Sequence, residues 1–477
     1  MILDSAELKL LDNEIFDACI IGTGPAGITA ALGLESAGHR ILLLEGGGTE
    51  YTEQSQNIYR GEVTGDKYLN LTQCRLRYLG GTSNHWGGIC RTLDEEDFQA
   101  KKGFPLTEWP ISKKDLDPYL EKASEILEIP EIPADAELET DELKSISFVI
   151  PPPVRFKQKY SQQLQDSKSI LLATNANVTS LVPKNGAVRF INVSGWDGSK
   201  IKIKAKRFIL ATGGIENSRL LLWSNFLAKG ELVKNDKALG KYWMEHPHFT
   251  LGEAFLTGKA KAIINQQGRT YYAPTKTLMD DKQILNCGLR FLPLQLEGTK
   301  KMVSDLLCIA PKAGKWAADL FNKDLLCGAT VRAAWEQEPV INNRIELTDE
   351  KDSLGIPRVN LFWNKNENDL RTARVTTEAF GRYLSSNDLG RVQLDDWLTN
   401  NESFPENDEI GGPHHLGGTR MAATPDLGVV DQNCKVYGLD NLYIAGSSVF
   451  PSGGHANPTM SIVQLTLRLV DHIHASR

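Results

Sequence analysis

Two patterns of apolar and polar positions alternate along the chain. In FDACIIGTGPAGITAALGLESAGHRILLLEGG, a short apolar run at 17–21 leads into a glycine turn and an Ala/Leu-rich stretch with helical spacing. A second apolar run, Ile41 to Leu44, follows. Short uninterrupted runs separated by a helix predict strand, turn, helix, strand, a parallel βαβ unit. RFILAT running into GGIENSRLLLWS repeats the strand, glycine turn and helix, as does NLYIAGSSVFP followed by NPTMSIVQLTLRLVDHI. Between about 241 and 404 the pattern changes to alternating segments such as NRIELTD and PRVNLFW. These predict strands of an antiparallel sheet with one face covered. The chain has no repeats and no low-complexity linkers, so the second domain is woven into the first.

With 477 residues the chain suits two such interleaved domains. A net charge of −7 disfavours nucleic acid as the main partner, because phosphate binding needs a basic surface. No apolar run approaches the roughly 18 residues that suggest a membrane span. The first residues, MILDSAELKLLDNE, lack the basic start and apolar centre of a signal peptide, so a cytoplasmic location is expected. Seven scattered cysteines with no CxxC argue against an iron–sulfur centre, c-type haem, zinc ribbon or disulfide framework.

The turn Gly22-Thr-Gly24-Pro-Ala-Gly27 has the spacing that binds a dinucleotide. Its first glycine allows the tight turn, its second admits a pyrophosphate, and its third lets helix and strand pack together. Glu45 follows the second strand, where its carboxylate can accept from a ribose 2′-OH and would repel a 2′-phosphate. That disfavours NADP and leaves FAD and NAD open. At the other end, Asn457-Pro458-Thr459 opens the last helix in the order N-cap, then proline at the first helical position. Apolar residues from Met460 to Val470 leave that helix mostly buried. Its positive end is then available to a group that gains negative charge, as reduced flavin does.

Together GTGPAG…LLLEGG, GGTSNHWGG, ATGGIENSRLLL and HLGGTRM…GVVDQNCKVYGLDNLYIAGSSVFPSGGHANPTMSI resemble the glucose–methanol–choline (GMC) oxidoreductases. The likeness is to the branch that contains pyranose oxidases and bacterial sugar dehydrogenases. It implies an α/β fold: a Rossmann-like FAD-binding domain assembled from 1–95, 190–240 and 405–477. An α+β substrate domain with an antiparallel sheet is expected from 96–189 and 241–404. It also implies FAD as cofactor and oxidation of an alcohol by hydride transfer to flavin N5. The expected cofactor contacts are Gly22, Gly24, Ala26, Gly27 and Glu45; Gly81, Thr82, Asn84, His85, Trp86 and Gly87; Ala211 and Gly446; and Pro458 and Thr459.

The family pattern HxxGT falls on His415-Leu416-Gly417-Gly418-Thr419, which makes His415 the expected base and Asn457 its partner. An alcohol gives up hydride only as its O–H proton is removed, and neutral imidazole suits that step. If the segment is extended, His414 and His415 point to opposite faces, so His414 is expected to be a mere neighbour. His85-Trp86 matches the placement of a histidine that, in pyranose oxidases, is bonded to the flavin 8α-methyl. A covalent link through His85 and a noncovalent packing role both stay open.

His246 and His248 in MEHPH, and His455, are expected to be structural, with no metal site. Residues 301–321 suggest amphipathic helices of a core or lid. The substrate implied is a ring hydroxyl of a sugar or glycoside, with oxygen, a quinone or a redox protein as electron acceptor. Alternatives are a non-sugar alcohol on the same machinery, a lyase that uses FAD structurally, and a flavin-binding protein without turnover.

Overall fold

The computed structural model describes residues 2–4, 7, 14–130, 132, 135, 138, 140–256, 260, 270–293, 328–406 and 412–476. The expected helices at 301–321 lie outside the described residues. The fold is α/β, built around an eight-stranded sheet. In spatial order its strands are Ile2–Asp4, Ile170–Thr174, Ile41–Leu44, Ile15–Ile21, Lys200–Leu210, Ala187–Ser194 and Asn177–Lys184, with Leu442–Ile444 also paired to Lys200–Leu210. Every residue of Ile41–Leu44 is buried. That is why its sequence is an unbroken apolar run rather than an alternating one.

Lys200–Leu210 is shared among three neighbours. Its first residues pair antiparallel with Ala187–Ser194, and its last pair parallel with both Ile15–Ile21 and Leu442–Ile444. Ile21 and Ile444 are both in register with Leu210, and Ile21 is also in register with Leu44. Four strands therefore end along one edge, and the loops that follow them collect there. At that edge Gly22 has φ +106°, and a Cβ on it would lie 2.4 Å from the Ala211 oxygen. A Cβ on Gly27 would lie 1.9 Å from the Gly22 oxygen. Helix Pro25–Ser36 can start against the strand only because both side chains are missing.

The expected division of the chain needs one correction. Residues 156–189 were assigned to the second domain, but Ile170–Thr174 pairs with Ile41–Leu44 in the first sheet, and the hairpin from 177 to 194 extends the same sheet. The second domain is a six-stranded sheet in the order Gly390–Leu394, His248–Leu256, Ala329–Trp335, Cys287–Pro293, Thr270–Pro274, Leu143–Ser147, all antiparallel. Ala329–Trp335 alternates between buried and partly buried positions along its length. Ala329, Val331, Ala333 and Trp335, with Leu289, Phe291, Phe249 and Leu251, join the core that includes Ala373, Phe380 and Leu384 of helix Glu367–Ser386. Of the intervening residues, His248, Gly288, Arg290, Arg332 and Ala334 line the cavity described below.

NRIELTD and PRVNLFW are antiparallel strands as expected, but outside that sheet. Arg344–Lys351 and Pro357–Trp363 join Glu62–Gly65 in a separate three-stranded sheet. Its core includes Ile345, Val359, Leu361 and Trp363 together with Ile215 of helix Gly214–Leu227. No helix among the described residues is long and apolar enough to cross a membrane.

The Gly22–Gly27 contact gives a direct expectation. Gly27→Ala must push the helix off the strand, so it should lower stability by about 1–3 kcal/mol, the usual range for overpacking. Thermal denaturation of the purified variant checks this, and an unchanged Tm would refute the packing account.

Candidate active site

A cavity of about 690 Å³ lies between the collected strand ends of the first sheet and the inner face of the six-stranded sheet. The wall formed by the first sheet includes Gly22, Gly24, Ala26, Glu45, Ala211 and Gly446. Gly24 precedes the helix, and apart from its own chain neighbours no described atom lies within 4 Å of where its Cβ would be. That open position at a helix N-terminus suits an anionic group such as a pyrophosphate. Glu45 is buried; its Oε1 accepts from Gly47 N at 2.8 Å, and its Oε2 accepts from the Thr23 hydroxyl. A carboxylate offers about four acceptor positions, so a ribose hydroxyl can still be received.

Gly81, Thr82, His85, Trp86 and Gly87 line the cavity, as do Pro458 and Thr459. Arg155 Nη1 pins the loop by donating to the carbonyls of Ser83 and Trp86, each at 2.9 Å, and Trp86 Nε1 donates to Val154 O at 2.7 Å. Two expected contacts stand apart. Asn84 turns away and donates to Leu79 O at 2.9 Å, and Gly27 serves the strand–helix packing. Partial burial, then the nearby Arg155 charge, lowers the His85 pKa.

The histidine pair diverges as an extended segment requires, but in the opposite sense from the one expected. Leu416 bridges Met244 in antiparallel fashion, and His414 N donates to Glu245 Oε1 at 2.6 Å. With the backbone so fixed, His414 Nε2 lies 3.1 Å from Asn457 Nδ2. The expected pairing of His415 with Asn457 is therefore corrected. His415 also lines the cavity, but its ring lies beside Trp243 and Tyr68, at 5.9 and 6.3 Å between centroids. Asn457 likewise departs from its expected role as an N-cap. Helix Thr459–Ala475 begins after Pro458 with no side-chain cap, and the Asn457 amide points to His414 instead.

Hydrogen bonding then determines where the protons sit. An amide nitrogen only donates, so His414 Nε2 accepts from Asn457 and carries a lone pair. The ring is neutral, so its proton is on Nδ1. His414 Nδ1 lies 2.9 Å from His246 Nδ1, which must then be the acceptor. His246 keeps its own proton on Nε2, beside Gly453. Glu245 anchors both backbones, accepting from His246 N at 2.8 Å as well as from His414 N. Its other oxygen accepts from the Tyr68 hydroxyl. The sequence singled out His246 only as a structural residue; no spacing signal connects it to a residue so distant in the chain.

Burial holds these rings neutral. It lowers the His414 pKa well below 6.5, reinforced by His246, His248 and His415. It also lowers His246 to about 4, His415 to about 3 and His455 to about 4. His455 was expected only to pack, but it lines the cavity and sits close to Asp94 and Asp97. That trio does not read as a metal centre. Asp94 is taken by Arg91 at 2.6 Å and Lys144 at 3.0 Å, and Asp97 by Asn286 Nδ2 at 2.9 Å. A divalent cation would have to displace cations already present.

Residues 339–466 match the GMC oxidoreductase family. The chain is 24% identical to a 2-methyl-1,2-propanediol dehydrogenase of Mycolicibacterium austroafricanum, over 96% of this chain and 95% of that protein. It is 25% identical to the fructose dehydrogenase large subunit of Gluconobacter japonicus, over 60% of this chain and 50% of that subunit. Among solved structures it resembles pyridoxine 4-oxidase from Mesorbium loti, with TM-score 0.62 at 15% identity, covering 96% of this chain and 99% of that one. A formate oxidase gives 0.58 at 15% identity, covering 98% and 99%. At these identities the structural likeness is one of fold.

The buried histidines make stability depend on pH. Their folded pKa values lie below the unfolded value, so between about 4 and 6.5 the unfolded chain binds protons that the folded chain does not. Stability is full above pH 6.5 and is lost as pH falls through that window. Tm should hold from pH 7.5 to about 6.5 and then fall steadily to pH 4.5, and a flat profile would contradict the burial of neutral rings.

Proposed function

The chain is an oxidoreductase of the GMC type, and from that premise we propose that it oxidises a secondary alcohol to a ketone with FAD. The preferred substrate is a ring hydroxyl of a sugar or glycoside, His414 is the general base, and Asn457 is its partner. The observation that carries this reading is the 3.1 Å contact between His414 Nε2 and Asn457 Nδ2 in the wall of a cavity that also has a dinucleotide cradle. The residues around Gly24 and Glu45 fit the diphosphate and ribose, and Gly81–Gly87 and Gly446–Thr459 would hold the rest of the cofactor. FAD supplies the hydride acceptor.

The chain's own residues do the proton chemistry. A substrate hydroxyl inserted between the two side chains gives its proton to His414 Nε2 while its oxygen accepts from Asn457 Nδ2. Asn457 holds the oxygen without competing for the proton. His246 acts by keeping the His414 proton on Nδ1, which leaves Nε2 free to accept. His415, expected from the sequence to be the base, is assigned here to the wall beside Trp243. His85 is the residue through which a covalent flavin bond would form. Oxygen, a quinone or a redox protein would be the final electron acceptor.

A small non-sugar alcohol is the second reading, favoured by the diol dehydrogenase likeness over nearly the whole chain. Anaerobic bleaching of the flavin by sugars and by simple alcohols separates the two. If neither class bleaches it, the lyase or non-catalytic alternatives take over.

Four measurements test these roles. His414→Ala should slow flavin reduction by about 10²–10⁴-fold, the usual worth of a general base, with FAD still bound. His415→Ala should cost far less, and the reverse order would sink the assignment. His246→Phe should approach the His414→Ala rate, whereas His246→Asn, with an amide oxygen in place of Nδ1, should retain much of the activity. Because the His414 pKa lies well below 6.5, the reduction rate should stay level as pH falls through 6.5 and decline only further down. Mass spectrometry after denaturation decides the His85 bond, since a covalent flavin stays on its peptide.

A further inference from the structure

One histidine in the cavity wall has no part in the chemistry above. His455 is 4% exposed and lines the cavity, and neither of its ring nitrogens has a hydrogen-bond partner in the protein. Buried polar groups are normally paired, so a ring in this position is left to pair with what enters the cavity.

Its surroundings show which way the ring faces. Gly288 also lines the cavity, and a Cβ on it would lie 3.8 Å from His455 Cδ2 and 3.5 Å from Tyr271 Cδ1. Cδ2 is bonded to Nε2, so that edge of the imidazole borders the space over Gly288. Gly288 is opposite Ala334, and Ala334 is opposite His248, whose ring lies 6.0 Å from that of His414. A row with almost no side chain therefore runs across the sheet from the His414 side to the His455 side. Phe148 and Tyr271 border its far end, with the Phe148 ring edge-on to His455 at 6.0 Å between centroids. His455 and Asn457 are two residues apart, so their Cα atoms are separated by no more than about 7 Å. One small molecule can reach both.

The acids near the ring leave it unpaired. A His455 nitrogen lies within 4.8 Å of an oxygen of Asp94 and of Asp97, without a hydrogen bond to either. Asp94 is held by Arg91 and Lys144, and Asp97 by Asn286 Nδ2 and the Asp94 N–H, each at 2.9 Å. A water between ring and acids can serve one nitrogen, and the other still lacks a partner. Burial, opposed by the Asp94 charge, lowers the His455 pKa to about 4. At neutral pH the ring thus offers one N–H and one lone pair. A hydroxyl both donates and accepts, so it satisfies whichever nitrogen it meets. A carboxylate only accepts and an ammonium only donates, and a neutral ring gives neither a counter-charge.

We propose that His455 binds a second hydroxyl of the substrate, which is then a polyol with its reacting hydroxyl between His414 and Asn457. The proposal rests on the reading of that pair as the reacting end.

The test compares cyclohexanol with cyclohexane-1,2-diol, 1,3-diol and 1,4-diol as anaerobic reductants of the bound flavin. In the native protein at least one diol should be about 10-fold or more above cyclohexanol in kcat/KM, because a site built for a hydroxyl rejects the analogue that lacks it. His455→Phe should remove most of that preference. His455→Asn, which keeps a donor and an acceptor, should retain part of it, as a packing role alone would not. Bound FAD per chain identifies a variant that has failed to fold, and His455→Leu then replaces His455→Phe. If no diol is preferred by the native protein, or the preference survives in full without the imidazole, the subsite is overturned and alcohol oxidation stands.

Should none of the four reduce the flavin, binding decides the subsite. One diol should then perturb the flavin spectrum at about 10-fold lower concentration than cyclohexanol, and His455→Phe should abolish the difference. Equal concentrations, no perturbation, or a difference that persists in the variant refutes the subsite. Reduction by none of these and by no sugar refutes the proposed oxidation, whatever the binding shows.

Discussion

The register at Leu210 is the constraint on which the site depends. Because Ile21 and Ile444 end level with it, and Leu44 ends level with Ile21, the segments after four strands reach the same edge. Those segments are far apart in sequence and have no local attraction for one another. They are held together by backbone ladders beneath them and by the close strand–helix approach that Gly22 and Gly27 allow. A slip of one residue in any of these pairings would also turn that strand's side chains over. The cradle around Gly24 and Glu45 is thus a product of sheet geometry.

The proposed reacting end is set by a different device, a chain of hydrogen bonds in a buried setting. Glu245 fixes the backbone of both His246 and His414, His246 receives the proton of His414 Nδ1, and Asn457 meets Nε2. Each link needs the next, since a ring that lost its acceptor could take the other tautomer and present a proton where a lone pair is wanted. Burial completes the arrangement by keeping the rings uncharged, at some cost to stability in acid. The six-stranded sheet supplies the opposite wall. Its alternation sends one set of side chains under the helix and the other, including two arginines, toward the cavity.

Much of this was legible in the sequence. Runs such as Ile41–Leu44 are apolar throughout because both faces of a central parallel strand are covered, and the glycine spacing after Ile21 reports a steric need that is local. The strand Ile170–Thr174 was placed in the wrong domain. Its five residues say that it is buried, and nothing in them says whether Ile41–Leu44 or the antiparallel sheet is its neighbour. The same holds for Arg344–Lys351 and Pro357–Trp363, which are antiparallel as their pattern indicates but form a sheet of their own with Glu62–Gly65.

The two adjacent histidines divide the matter most clearly. By itself the sequence determined that an extended His414-His415 pair must diverge, because successive side chains on a strand point to opposite faces. It determined as well that an asparagine precedes the last helix and that a glycine turn opens the first. Which histidine meets that asparagine was decided by tertiary structure alone. The choice depends on how the segment is rotated about its own axis, and that rotation is fixed by Met244 and Glu245, some 170 residues earlier in the chain. Alternation is a local property of the backbone, whereas its phase relative to the rest of the protein is not.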